Sequence, residues 1–394
     1  MQYDIIIVGG GIIGLTAGYT ILNKKPDTKL LILEKESDVA RHQTGRNSGV
    51  IHSGIYYKPG SQKAITCRKG IRLLLDFCDT HAIPYEICGK LIVATDETEL
   101  PRLFDLFERG KANGIENVSL IGPEQLLERE PHAAGIKAIH CPETGIVDYT
   151  RVANALKNEI STLGGDIIFS AKVESIHSTD NETVVSTTAG DYTCSTLINC
   201  GGLYTDKIAE MNTADIDVKI IPFRGEYYTV KPKSSHLVKN LLYPVPDPRF
   251  PFLGVHFTRR IEGEIEAGPN AVLAFAREGY TKSTLNISEL METLTYPAFW
   301  KMVKPYWKTG LGEMVRSFSK RAFVRALKKL IPEITADDLI PGGSGVRAQA
   351  LANTGQLLDD FHIIQHEHAI HVLNAPSPAA TASFAIAREI VKYL

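Results

Sequence analysis

The hydrophobic pattern changes character along the chain, and the changes mark out an architecture. Residues 3 to 8, Tyr-Asp-Ile-Ile-Ile-Val, form a short continuous apolar run ending in glycines, the pattern of a parallel strand buried on both faces. Small and apolar residues continue from Ile12 to Leu22 without a breaker and predict a helix, and Leu30-Leu31-Ile32-Leu33 predicts a second buried strand. Strand, helix and strand within about 35 residues make a βαβ unit. Strand-like runs recur at Asp166–Ser170 and at Leu197–Asn199, the latter leading into Cys200-Gly201-Gly202, and are expected in the same sheet. Residues 85–95 and 220–280 have a different texture, alternating polar with aromatic or β-branched residues as in Phe223–Val230. Such alternation predicts a half-buried antiparallel sheet. The prolines of residues 244–251 predict a rigid ordered loop, since they suit neither helix nor central strand. The expected fold class is therefore α/β. A Rossmann-like domain over residues 1–80, 145–218 and 335–394 is interleaved with a second domain over 81–144 and 219–334, built on a mostly antiparallel sheet with helices.

Composition narrows the class of function. With 394 residues, 44% apolar and 22% charged, the chain can bury the cores of two domains. A formal charge of −2 without a single-sign tail argues against nucleic acid as a partner, because phosphate binding rests on a net basic face. The cysteines at 67, 78, 88, 141, 194 and 200 have no C-x-x-C spacing, which argues against a zinc site or a disulfide framework. His362, His366, His368 and His371 resemble a metal cluster at first sight, but strand alternation around 365–373 reads them as exposed positions, and no metal is expected. No apolar run reaches the ~18 residues that span a bilayer, and no presequence pattern opens the chain. The expectation is a cytoplasmic protein, or one peripheral on the cytoplasmic face of the inner membrane.

Gly9-Gly10-Gly11-Ile12-Ile13-Gly14 supplies G-x-G-x-x-G between the first strand and the first helix. Gly9 permits the tight turn, Gly11 lets backbone approach a pyrophosphate, Gly14 allows close helix–strand packing, and the helix N-terminus faces phosphate charge. Glu34 closes the second strand, 20 residues after Gly14, where a carboxylate can accept from an adenosine ribose. Together these features predict dinucleotide binding. NAD and FAD share them. The polar, small-residue segment Thr44–Gly54, a second at Pro341–Arg347 and a third at Asn374–Thr381 leading into a final helix favour a flavin, which needs backbone approach along its pyrophosphate, ring edge and pyrimidine end.

Val8–Gly14 with Glu34, Cys200-Gly201-Gly202, Gly345-Val346-Arg347 and the C-terminal helix resemble the D-amino acid oxidase and glycine oxidase superfamily of flavoproteins. More narrowly, the blocks Asn47–Tyr57, Tyr243–Arg259, Gly268–Phe275, Gly345–Gln349 and Asn374–Ala380 resemble L-2-hydroxyglutarate dehydrogenases and oxidases. The resemblance runs nearly end to end and is weakest over 283–330. It implies noncovalent FAD and oxidation of L-2-hydroxyglutarate to 2-oxoglutarate by hydride transfer to flavin N5, with electrons passing to a membrane quinone or to oxygen. The cofactor contacts it implies are Gly9, Gly11, Ile13, Gly14, Glu34 and Lys35, then Thr44, Arg46, Asn47, Ser48 and Gly49, then Val173, Gly201 and Gly202, and finally Pro378, Ala379 and Ala380. Cys67 and Cys200 are thiols that could tether a flavin, though no local pattern demands it. An amine or amino-acid oxidase of the same superfamily and a non-redox flavin-fold binding protein are the alternatives.

Oxidation of a 2-hydroxy acid needs a base for the hydroxyl proton and cations for the carboxylates. Arg347 stands where the superfamily keeps an arginine for the substrate carboxylate, a bidentate task suited to a guanidinium. Arg259, with Arg260 beside it, is the candidate for the distal carboxylate. His52 and His256 are the candidate bases, and Tyr57, with Tyr56, is expected to line the pocket. The stretch from Tyr296 to Leu330 contains Trp300, Trp307, Phe299, Tyr306, Phe318 and Phe323, and carries nine Lys or Arg against the single acid Glu313. This mixture suggests docking on an anionic lipid surface.

Overall fold

The computed structural model describes residues 2–180, 182–213, 216–247 and 254–394. The apolar run at the N-terminus forms the strand Gln2–Val8, which pairs in parallel with Leu30–Leu33 on one side and with Gly190–Asn199 on the other. Asp166–Ile168 extends the sheet beyond Leu30–Leu33, Ala369–Asn374 pairs with the end of Gly190–Asn199, and a hairpin of 173–178 and 183–187 completes one flank. Alternate residues of the first strand enter different cores. Ile5 and Ile7 face the helices Ile12–Lys24, Tyr149–Thr162 and Ala379–Ile390, whereas Ile6 and Val8 pack with Leu31, Leu33, Leu197 and Ile208. Each fully buried isoleucine contributes roughly 1.5–3 kcal/mol, so a sheet covered on both faces tolerates few polar residues.

Among the described residues the second sheet has nine strands and is mostly antiparallel. Its spine is the long strand Val218–Val230, which pairs along its length with Leu339–Ala352. The sequence reading assigned Leu339–Ala352 to the cofactor half, because Gly342-Gly343-Ser344-Gly345 resembles a flavin loop. The glycines instead lie within the strand, and a Cβ on Gly345 would stand 2.3 Å from the carbonyl oxygen of Arg46. Gly345 thus lets the second sheet touch the Thr44–Gly54 segment of the first domain.

Two further expectations change. The strand Lys90–Ala94 is buried throughout rather than half-buried. It lies inside the sheet, between Lys137–Cys141 and a parallel partner, Leu241–Pro244. Its alternate residues fill two cores, Leu91 and Val93 on one face and Ile92 and Ala94 on the other. His371 is not exposed but fully buried, because Ala369–Asn374 is an interior strand. Its ring lies between the side chains of Asn199 and Asn212 at 3.1 and 3.2 Å. In the proline-rich stretch, Pro244 closes a strand, and residues 248–253 lie outside the described residues. Among the described residues no helix is long and apolar enough to cross a membrane.

Candidate active site

A cavity of about 1250 Å³ runs between the two sheets. One end is walled by backbone. Gly9 has φ +111°, and a Cβ there would lie 2.5 Å from the Cys200 carbonyl oxygen, while a Cβ on Gly14 would lie 2.1 Å from the Gly9 carbonyl oxygen. Only glycine permits this close turn and packing. Glu34 closes its strand with both oxygens engaged, accepting from the Gly10 amide at 2.6 Å and the Glu36 amide at 2.8 Å. Thr44 Oγ1 accepts from the Ile12 amide at 2.9 Å, and Asn47 Oδ1 accepts from the Gly49 amide at 2.8 Å. The helices Ile12–Lys24 and Ala379–Ile390 both begin at this cavity, and neither has an acidic residue in its first turn. Their positive ends are therefore available to an anion.

Of the expected cofactor contacts, Gly9, Gly11, Ile13, Glu34, Lys35, Thr44, Arg46, Asn47 and Ser48 line the cavity. So do Val173, Gly201, Gly202, Pro378, Ala379 and Ala380. Gly14 and Gly49 are not on its wall but shape it, Gly49 by a turn at φ +71° against the Val147 carbonyl. One grouping escaped the sequence reading. Glu36, His42 and Glu278 converge with ligand atoms within 4.8 Å of one another. Lys35 supplies positive charge there, paired with Glu278 and 3.4 Å from Glu36.

Side chains wall the other end of the cavity: His52, Tyr56, Tyr57, Tyr227, Tyr243, His256 and Arg347. Alternation along His256–Arg259 turns His256 toward the cavity and Phe257 into the opposite core. His256 Nδ1 lies 2.9 Å from the Gly254 carbonyl. A carbonyl only accepts, so Nδ1 carries the hydrogen and Nε2 of the neutral ring keeps its lone pair. The ring stacks on Tyr243, with centroids 3.9 Å apart. His52 has Nε2 3.4 Å from Ser377 Oγ, and its buried Nδ1 makes no hydrogen bond among the described residues. Burial, reinforced by the positive charge of Lys90, pushes both imidazoles down to about 3. Both rings are thus neutral at physiological pH.

Arg347 reaches the Asn270 carbonyl at 3.4 Å, and burial lowers its pKa without discharging it. Arg259 is not on the cavity wall; its guanidinium pairs with Glu86. Arg260 donates to the Asn47 carbonyl at 2.9 Å and pairs with Glu266 at 3.1 Å. The sequence reading missed Tyr227, Tyr243 and the buried Lys90. Four consecutive apolar residues after Lys90 were the available sign that its strand is buried on both faces.

Sheet order, glycine-lined turn and cavity are those of a flavin-dependent oxidoreductase. The family model of FAD dependent oxidoreductases matches residues 4–393, and the chain belongs to that family. FAD is its cofactor, and the backbone-lined wall with two helix N-termini that carry no acid in their first turns fits a dinucleotide of that length and charge. Among known proteins, the chain is 54% identical to the L-2-hydroxyglutarate dehydrogenase of Indibacter alkaliphilus, covering 100% of this chain and 99% of that protein. It is 44% identical to an Escherichia coli L-2-hydroxyglutarate dehydrogenase, over 99% of this chain and 92% of that one. Among solved structures, the L-alpha-glycerophosphate oxidase of Mycoplasma pneumoniae with FAD bound superposes with a TM-score of 0.81 at 23% identity, over 100% of this chain and 94% of that one. Glycine oxidase from Geobacillus kaustophilus gives 0.74 at 16% identity, over 99% and 94%. These two likenesses are likenesses of fold.

Proposed function

We propose that the chain oxidises L-2-hydroxyglutarate to 2-oxoglutarate. The observation that carries this reading is the end-to-end similarity to dehydrogenases of that name, joined to a cavity whose far wall offers a guanidinium and two neutral imidazoles. Bound FAD supplies the acceptor for the hydride leaving C2. Arg347 binds the carboxylate next to C2, and His256 Nε2 takes the hydroxyl proton as the C=O bond forms. His52 orients the hydroxyl. FAD is held noncovalently in this reading, and burial, which pushes the Cys67 and Cys200 thiols up to about 12, disfavours the thiolate that a cysteinyl tether needs. Anaerobic titration tests the reading. L-2-Hydroxyglutarate should bleach the flavin absorbance and yield one 2-oxoglutarate per flavin, and amino acids should not. Bleaching by amino acids alone would favour the amine oxidase alternative, and none by either would favour a binding protein.

A second observation bears on the electron acceptor. On the helix Pro297–Phe318, Trp307, Leu311, Val315 and Phe318 form an exposed apolar stripe, with Trp300 nearby and Ile287 and Met291 on the preceding helix. Lys301, Lys304, Lys308 and Arg321 are exposed around it. Three of the aromatics grouped with them by sequence, Tyr296, Phe299 and Phe323, are core residues instead. The remaining face is suited to an anionic bilayer surface, with electrons passing to a membrane quinone, each engaged cation contributing roughly 1 kcal/mol. The protein should sediment with anionic vesicles at low salt and be released at high salt. No binding at low salt, with rapid peroxide formation from oxygen, would identify a soluble oxidase.

A further inference from the structure

Arg347 can serve one carboxylate of a dicarboxylate substrate, and Arg259 is held away from the cavity by Glu86. The second carboxylate needs another source of charge. Lys90 is only 1% exposed, yet its ammonium makes no ion pair and no hydrogen bond among the described residues. Strand parity places it with Ile92, on the face where Tyr243 and Ile55 pack. Its Nζ lies 4.4 Å from the centroid of the Tyr56 ring and 4.9 Å from that of Tyr243; both rings line the cavity, and Lys90 stands behind them, off the wall like Arg259 but without a carboxylate partner among the described residues. The Tyr56 hydroxyl is also buried without a partner among the described residues.

Folding does not account for this lysine. An unpaired buried ammonium destabilises a fold, and a methionine of similar length would fill the space without that cost. Two cation–π contacts offset only part of it. An anion arriving in front of the two rings would complete the charge balance.

Resting on the reading of the cavity as a site for L-2-hydroxyglutarate, we propose that Lys90 is the specificity-determining positioning residue for the substrate's second carboxylate, acting from behind the Tyr56 and Tyr243 rings while the Tyr56 hydroxyl donates to it. The carboxylate then accepts from the Tyr56 hydroxyl in front of the rings, within the field of the uncompensated charge behind them, and C2 is presented to Arg347 and His256.

The test compares L-2-hydroxyglutarate with L-2-hydroxyvalerate, which has a methyl group in place of the second carboxylate, in the flavin-loaded full chain. Lys90→Met should raise KM for L-2-hydroxyglutarate about tenfold or more and leave KM for L-2-hydroxyvalerate within about twofold, with kcat little changed. Calorimetry provides a readout without turnover. Binding of 2-oxoglutarate should weaken in the same proportion, and that of 2-oxovalerate should not. The melting temperature of Lys90→Met should rise, the opposite of what a packing role predicts. Tyr56→Phe should shift the same preference more weakly, and it tests the site even if Lys90→Met does not fold. Equal losses for both substrates in the folded variants, or an unaltered preference, would overturn the proposal. A wild-type chain that ignores L-2-hydroxyglutarate would overturn the functional reading and this proposal with it, whereas a normal wild type with an indifferent Lys90→Met would overturn this proposal alone.

Discussion

The two ends of the cavity recognise their ligands by different physics. At the flavin end, amides, two helix N-termini and glycines without side chains form much of the wall, and Glu34 is tied to two amides. At the substrate end, ionisable side chains form the wall, and burial lowers the pKa values of His52, His256 and Arg347. A backbone wall is rigid because secondary structure already fixes it. A side-chain wall holds its field only while water stays out. Substitutions at the two ends should therefore fail differently, the flavin end by losing cofactor and the substrate end by losing selectivity or rate with cofactor retained.

The largest effect is expected at the substrate end. Arg347→Lys replaces a planar fork with a point charge and should lower kcat/KM for L-2-hydroxyglutarate by on the order of 10²–10³, about 3–4 kcal/mol in the transition state. The flavin content of the purified variant should match wild type. Loss of flavin from this variant would show that Arg347 belongs to the cofactor wall, and the contrast between the two ends would break. Next comes Glu34→Ala, which removes the carboxylate that accepts from Gly10 and Glu36. It should weaken FAD binding by roughly 1.5–3 kcal/mol, read as flavin released on dilution, while kcat of the flavin-loaded fraction stays near wild type.

The flavin end was also the more legible in sequence. Gly9, Gly11, Gly14 and Glu34 sit at fixed spacing within one βαβ unit, so a local pattern carries the whole inference. The substrate end is assembled from His52, Tyr56, Lys90, Tyr243, His256 and Arg347, which come from distant segments, and no spacing links them. His52, His256 and Arg347 were reached through family resemblance. Lys90 was overlooked because alternation over 85–95 suggested a polar outer face, whereas pairing on both sides and packing on both faces buried the strand. Glycines 342, 343 and 345 misled for a related reason. A glycine run marks either a loop or a strand that must approach another backbone closely, and the second case depends on a contact with Arg46 that sequence does not display. Arg259 and His371 share the lesson, since strand parity tells which residues share a face but not which face finds solvent, a partner or a ligand.

A smaller effect concerns pH. Burial lowers the pKa values of His52 and His256 to about 3 from an ordinary 6.5, so the unprotonated rings persist as pH falls. kcat/KM should therefore change less than about twofold between pH 7 and pH 5, without the acidic limb near 6.5 of an exposed histidine base. The same shifts act on stability with a definite sign. The unfolded chain takes up protons on these histidines below 6.5 and the folded chain does not, so their contribution to stability is complete above 6.5 and is lost as pH falls toward 3. A rate that dropped with a midpoint near 6.5 while the fold stayed intact would mean that the substrate end is wetter than its side chains imply.

A small effect is also expected at Arg259, and its smallness sharpens the contrast. Family resemblance made it the candidate for the second carboxylate, yet its guanidinium pairs with Glu86, whose side chain is 48% exposed. Half-exposed ion pairs of this kind are worth about 0–1 kcal/mol, so Arg259→Ala should cost little stability. Because the residue is off the cavity wall, the ratio of kcat/KM for L-2-hydroxyglutarate to that for L-2-hydroxyvalerate should stay within about threefold of wild type, a change of less than 1 kcal/mol. Lys90→Met should move the same ratio by about tenfold. If Arg259→Ala collapsed the ratio and Lys90→Met left it alone, Arg259 would have to leave Glu86 and swing into the cavity when substrate binds. The substrate end would then be a wall that closes around its ligand, unlike the preformed backbone wall at the flavin end.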